Sequence, residues 1–192
     1  MNRLLHSRGY LCGAMDRVAD GGEGWRIDLQ QRLTHLGIFW LDPTHKPIDI
    51  GIEDAKNRAR VDQYKKEGLF KLSGECYKDV RHVDLRMVDI SDFLVVNINL
   101  DVHACGTYEE LFLANRQKKP VIIHMEQGKI NTPNWLLATL PHEMIFSAWD
   151  EVIEYFQHVA TGESVCTHNR WTFFDFTMCR RFGSPELGAN GL

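Results

Sequence analysis

The 192-residue sequence lacks the short signatures that assign a chemistry directly. Its five cysteines, Cys12, Cys76, Cys105, Cys166 and Cys179, form no CxxC pair, and an odd, scattered set reads as reduced thiols rather than a disulfide framework. Nine histidines show no HExxH or comparable ligand spacing, so no metal is expected. There is no GxSxG elbow for a serine nucleophile. Gly13, Gly21, Gly22 and Gly24 do not match GxGxxG and no P-loop lysine follows them, so neither NAD nor ATP is expected. A formal net charge of -4 and a pI near 6.1 leave no basic surface for a phosphate backbone, which argues against a nucleic-acid partner. No apolar run approaches a membrane span, and the opening "MNRLLHSRGYLCGAMD" is broken by charges and Gly9 too early for a secretory signal. No membrane partner and a cytoplasmic location are the expectation.

What remains is ordinary globular material, with 44% hydrophobic and 25% charged residues. "RGYLCG" at residues 8 to 13 reads as a strand ending in glycine, and "WRIDLQQRLTHLG" repeats Trp25, Leu29, Leu33 and Leu36 at helical spacing. "IFWLDP" is a second strand. Residues 43–74 are polar and punctuated by proline and glycine, which predicts an insertion or lid with one charged helix. Beyond it, "ECYKDVRHVDLRMVDIS" places Val80, Val83, Met87 and Ile90 on one helical face, and "DFLVVNINL" is apolar enough for a central strand. A helix from Thr107 to about Arg116, the strands "PVIIHM" and "EMIFSA", and the helix "WDEVIEYFQHV" complete the alternation. The pattern predicts an α/β fold: a doubly wound, five-stranded parallel sheet, flavodoxin- or Rossmann-like, with helices on both faces over residues 1–160. The tail from 161 to 192, with Trp171, Phe173, Phe174 and Phe176, is too aromatic to leave in water and should pack on its own domain or a partner subunit.

In such sheets ligands sit beyond the carboxyl ends of the strands, where strand order reverses. The loops after Gly13 and after Asp101 should therefore face one crevice. Within "DVHACGTYEELFLA", Gly106 reads as a turn, Thr107 as a helix cap, and Glu109 and Glu110 as acids favouring the helix's positive end. Cys105 beside His103 at a helix start is a conceivable nucleophile, but a small residue in a turn explains it as well. Asp84 flanks the apolar stripe of its helix, as either a solvated or a functional residue. A carboxylate in that crevice could attack an anomeric carbon and form a glycosyl ester that a second acceptor resolves.

Three stretches, "YLCGAMD" with the following "GWR", "DLRMVDISDFLVVNINLD" and "GTYEELFLA", together resemble the nucleoside 2-deoxyribosyltransferase family over residues 9 to 160. The resemblance implies that Glu110 is the nucleophile, with Glu109 its less favoured neighbour, and that Asp84 orients nucleophile and substrate. It puts Tyr10, Gly13 and Met15 on a substrate-binding loop, with Gly106 in the second loop. Where several members carry an aspartate just before the glycine, this chain has His103, Ala104 and Cys105, so Asp101 is the nearest carboxylate for the base. "GKINTPNW" resembles a segment lent to a neighbouring subunit, which implies a homo-oligomer with substrate contacts from Asn131 and Trp135. The implied activity is transfer of 2-deoxyribose between nucleobases without a cofactor or metal, with a deoxynucleoside and a free nucleobase as partners. An N-glycosidase acting on 2-deoxynucleoside 5'-monophosphates, with Arg17 and Arg26 available for phosphate, and a non-catalytic nucleotide-binding module are the alternatives.

Overall fold

A computed structural model describes residues 2–162 together with Arg170 and Trp171. Its centre is a five-stranded, wholly parallel sheet in the order β2-β1-β3-β4-β5, as the alternation of elements predicts. The strands are β1 (Arg8–Gly13), β2 (Phe39–Leu41), β3 (Phe93–Ile98), β4 (Val121–Met125) and β5 (Ile145–Phe146). The helices are α1 (Glu23–Arg32), α2 (Ala55–Lys66), α3 (Phe70–Ile90), α4 (Cys105–Arg116), α5 (Asn134–Thr139) and α6 (Trp149–Thr161). Every residue of β3 and β4 is buried, because both faces of the sheet are covered. No described helix is long and apolar enough to cross a membrane.

The period of two along each strand divides the core. Tyr10 and Cys12 of β1, with Leu94, Val96 and Ile98 of β3, meet Val83 and Met87 of α3 and Leu111 and Ala114 of α4. Leu11, Phe93 and Val95 face the other way, against Leu29 and Leu33 and against Val152, Phe156 and Val159 of α6. Trp171 joins this second layer, 5.5 Å from the Phe93 ring, with its Nε1 donating to the Tyr155 hydroxyl at 2.7 Å. Phe173, Phe174 and Phe176, on which the tail expectation also rested, lie outside the described residues. Gly9 sits where the layers close tightest, since a Cβ there would stand 2.6 Å from Trp40 and 2.7 Å from Phe93.

Two boundaries differ from the sequence reading. α4 begins at Cys105, so Gly106 is not a turn and Thr107, buried within the helix, caps nothing. No acidic residue lies in the first turn of α4, and Glu110 is its sixth residue rather than part of the helix start. α3 begins at Phe70 and so takes up the end of the polar 43–74 segment, leaving 43–54 as the irregular stretch before α2. Propensity misplaced these ends because Gly106 and Gly74 stand inside helices, where glycine ordinarily signals a break.

The sheet's edge explains one charge that no pattern revealed. β2 pairs with β1 only from Arg8 to Tyr10, so the β1 carbonyls beyond that point have no strand partner on this side. Arg26, wholly buried, supplies the donors: Nε to the Leu11 carbonyl at 3.2 Å, Nη2 to Gly13 at 2.9 Å and Nη1 to Gly22 at 2.5 Å. Its guanidinium lies 4.6 Å from the Trp25 ring centre and 3.8 Å from the Asp42 carboxylate. Burial lowers its pKa and Asp42 opposes that shift. The guanidinium is therefore a structural clamp on the first loop, and Arg26 is not available for phosphate as the monophosphate alternative expected. Replacing Arg26 by Met strands three carbonyls, two of them in buried contacts, and should cost about 3 kcal/mol in urea unfolding. Lys, which lacks the planar fork, should recover less than half; a fully stable R26M protein would contradict the clamp.

Candidate active site

The strand order reverses between β1 and β3, and the first loop and the start of α4 diverge there. Between them, walled on a third side by α3 and roofed by the 43–54 segment, lies a cleft of about 530 Å³. Tyr10 and Cys12 stand two apart on β1 and so share the face turned towards α4. Both reach one side chain. The Tyr10 hydroxyl donates to Oε1 of Glu110 at 2.9 Å, and the Cys12 thiol donates to its Oε2 at 3.0 Å.

Glu110 is buried at 8% exposure, and its pKa rises from 4.5 to about 7. Desolvation is the main cause; the Cys12 thiol pulls the other way, the nearby Asp84 charge adds to the rise, and the Tyr10 hydroxyl and Arg26 partly offset it. Burial and the same carboxyl push the Tyr10 and Cys12 pKa values well above their ordinary range, so both remain protonated donors. The result is a carboxyl fixed by two neutral donors and poised to ionise near neutrality.

Asp84 enters from α3 and is also buried. Lys46, whose side chain is only 2% exposed, places its ammonium 2.7 Å from Asp84 Oδ1 and 2.5 Å from the Gly51 carbonyl. The contact to Asp84 is a side-on ion pair rather than a well-directed hydrogen bond, since Oδ1 finds no partner with hydrogen-bond geometry. Burial raises the Asp84 pKa, with Lys46 and then Arg26 opposing. Glu109, one residue from Glu110, instead faces solvent, where Arg81 forks it and lowers its pKa. The helix thus separates two adjacent glutamates into a buried and a solvated environment.

Of the residues expected from sequence, the structure brings Tyr10, Gly13, Met15, Asp84, Gly106 and Glu110 to the cleft wall. It does not bring Asp101 there: Asp101 is exposed and accepts from Gln127 Nε2 at 3.1 Å, part of a staple in which Gln127 also bonds Asn99 and the Leu100 N–H. Asn131 and Trp135 are exposed and also away from the cleft, with Asn131 donating to the Gln127 carbonyl at 2.5 Å and Trp135 74% exposed. His103 and Cys105 line the mouth, 3.1 Å apart. The sequence reading missed Cys12 and Lys46. Cys12 was within reach, because a strand that turns Tyr10 to the site must turn Cys12 there too. Lys46 was not, because nothing in an irregular loop predicts which charge folds inward. Among the described residues no cluster of His, Cys, Asp and Glu is arranged to hold a metal.

No protein-family model matches the chain, and no curated protein matches it. Solved structures do. A 2-desoxiribosyltransferase from Leishmania mexicana aligns at 16% identity and TM-score 0.42 over 64% of this chain and 66% of its own, just under two thirds of that protein. The CMP N-glycosidase BcmB from Clostridium botulinum aligns at 16% identity and TM-score 0.43, over 79% and 98%. A conserved protein from Enterococcus faecalis aligns at 13% identity over 80% and 99%, and of the three it alone reaches a TM-score of 0.50. By name, one of these neighbours is a deoxyribosyltransferase and one an N-glycosidase. At such identities the likeness is one of fold.

The raised pKa has a consequence for stability. Glu110 holds its proton more tightly in the folded chain, about 7, than at its ordinary 4.5, so the folded state loses stability as pH climbs between these values and is level above them. Glu110→Gln removes that loss. Relative to the parent, its unfolding free energy should gain by up to about 3 kcal/mol between about pH 4 and pH 8. Parallel pH dependences in the two proteins would mean that Glu110 does not titrate in this window.

Proposed function

We propose that the protein transfers 2-deoxyribose between nucleobases by a retaining double displacement, with Glu110 as nucleophile and Asp84 orienting the sugar. The observation that carries this reading is the Glu110 carboxyl, buried at the cleft wall and held on both oxygens by Tyr10 and Cys12. The motif resemblance supports it. Attack by one carboxylate oxygen on the anomeric carbon breaks the bond to the base, whose electron pair leaves with it. A glycosyl ester forms on Glu110. An acceptor base then attacks the same carbon from the vacated side, and Glu110 leaves as a carboxylate.

Two hydrogen bonds fix the nucleophile's direction before substrate arrives, so little reorganisation is needed at reaction. The pKa near 7 leaves a substantial ionised fraction at neutral pH while keeping the carboxylate more basic than a solvated one. Asp84, with Lys46 against Oδ1, has Oδ2 left for a sugar hydroxyl. In this reading Asn131 and Trp135 would serve a neighbouring subunit's site, and 43–54 would act as the lid.

A free nucleoside fits the cleft better than a monophosphate. Asp16, Glu53, Asp84, Glu109 and Glu110 line it against Arg17, Lys78 and Arg81; Arg17 has Asp16 at 3.8 Å, Lys78 has Glu75 at 2.7 Å, Arg81 forks Glu109, and Arg26 is committed to backbone carbonyls. A phosphate dianion would enter a field that repels it. The N-glycosidase reading therefore ranks second.

Mixing a 2'-deoxynucleoside with a different free base should yield the exchanged nucleoside with ping-pong kinetics and an acid limb in kcat near pH 7. A 2-fluoro-2-deoxyarabinosyl nucleoside should leave its sugar on Glu110, located by peptide mass mapping. Glu110→Ala should abolish exchange, Glu109→Ala should be mild, and Asp84→Asn should lose about 100-fold or more in kcat/KM. Sequential kinetics with an unlabelled protein would overturn the double displacement.

A further inference from the structure

Among the described residues, four of the carboxylates at the cleft wall have partners close at hand. Asp16 lies 3.8 Å from Arg17, Asp84 lies 2.7 Å from Lys46, Glu109 is forked by Arg81, and Glu110 takes the Tyr10 hydroxyl and the Cys12 thiol. Glu53 differs. No cation among the described residues forms an ion pair with it, and its carboxylate receives one hydrogen bond, from the Tyr77 hydroxyl to Oε1 at 3.1 Å. Oε2 accepts no hydrogen bond from the described residues, and Glu53 lines the cleft.

The stem of Glu53 is nevertheless fixed. Asp54 caps α2 by accepting from the Asn57 N–H at 2.7 Å, Asn57 Nδ2 donates back to the Ile52 carbonyl at 2.9 Å, and Arg58 Nη1 donates to the Glu53 carbonyl at 2.8 Å. The chain thus holds a half-buried carboxylate at the cleft wall with one oxygen engaged by Tyr77 and the other free to exchange water for a donor on a bound ligand. Burial raises the Glu53 pKa, with the Tyr77 hydroxyl and the Arg58 charge opposing and the Asp84 and Asp16 charges adding to the rise. The loop before α4 offers no carboxylate to the cleft, since Asp101 is engaged by Gln127.

We infer that Glu53, oriented by Tyr77, reads the nucleobase and selects bases that carry an exocyclic amine. The inference rests on the deoxyribosyl-transfer reading above. An ionised carboxylate is an acceptor only, so it pairs with the amine N–H of adenine, cytosine or guanine. In thymine and uracil the pairing N–H lies between two carbonyl oxygens whose lone pairs oppose a carboxylate. Glu53 therefore discriminates by attraction to one class and repulsion of the other.

The test compares kcat/KM for deoxyadenosine and deoxycytidine with that for thymidine. The parent protein should favour the amine-bearing donors by about tenfold or more, and Glu53→Gln should reduce that ratio by about tenfold, with Tyr77→Phe moving it the same way by less. Equal losses on all donors, or a parent protein that prefers thymidine, overturn the inference. If E53Q does not fold, the parent's ratio and Y77F decide. A parent protein that turns over no donor sinks the transfer reading instead; calorimetric binding of free adenine, cytosine and thymine to parent and E53Q then decides. Tighter adenine and cytosine binding that E53Q loses upholds a base-reading Glu53, and indifferent or absent binding overturns it.

Discussion

The burial of one carboxyl between β1 and α4 is the constraint on which the site depends. An ionisable acid at 8% exposure is tolerable only if its oxygens are met by donors or its proton is retained, and Glu110 has both remedies in reach. The donors come from alternate residues of a strand and the acid from the second turn of a helix, so the contact exists only when β1, β3 and α4 stand in their final register. Sheet and site therefore assemble together. The Arg26 clamp serves the same end, because it holds the carbonyls of Leu11 and Gly13 on either side of Cys12 where no neighbouring strand can.

Around that carboxyl the cleft distributes its acids by environment. Glu109 is solvated, forked by Arg81 and shifted down; Glu110 is desolvated, met by neutral donors and shifted up. Adjacent in sequence, they differ because helical geometry turns successive side chains about 100° apart. Asp84 is an intermediate case, buried but partnered by an ammonium from the irregular 43–54 segment. Environments that push the pKa values of neighbouring acids apart are the usual means by which one cleft assigns different tasks to like groups.

The sheet was legible because its strands are buried on both faces and its helices carry apolar stripes, signals that survive in a single sequence. β1 coincides with "RGYLCG" from end to end. Glu110, Asp84 and Tyr10 were reachable through order and spacing of motifs. What escaped was set by tertiary contact: Lys46 folding inward to Asp84, Arg26 serving backbone carbonyls instead of an anion, and Asp101 drawn to Gln127. Each is a polar side chain whose partner is distant in sequence or lies in a loop, and periodicity does not encode such pairings. The placement of Glu110 at the helix start failed for a related reason, since Gly106 was read as punctuation.

Gly106 and Gly74 sit inside α4 and α3, both at the cleft wall, and a Cβ added at either would meet nothing within 4 Å. Neither has the positive φ that reserves a position for glycine. Each therefore weakens its helix by about 0.5–1 kcal/mol relative to alanine without relieving any clash within the chain. A methyl group at either position would occupy open space beside the cleft without touching the chain, so alanine there should strengthen the helix and leave the packing of the fold unchanged.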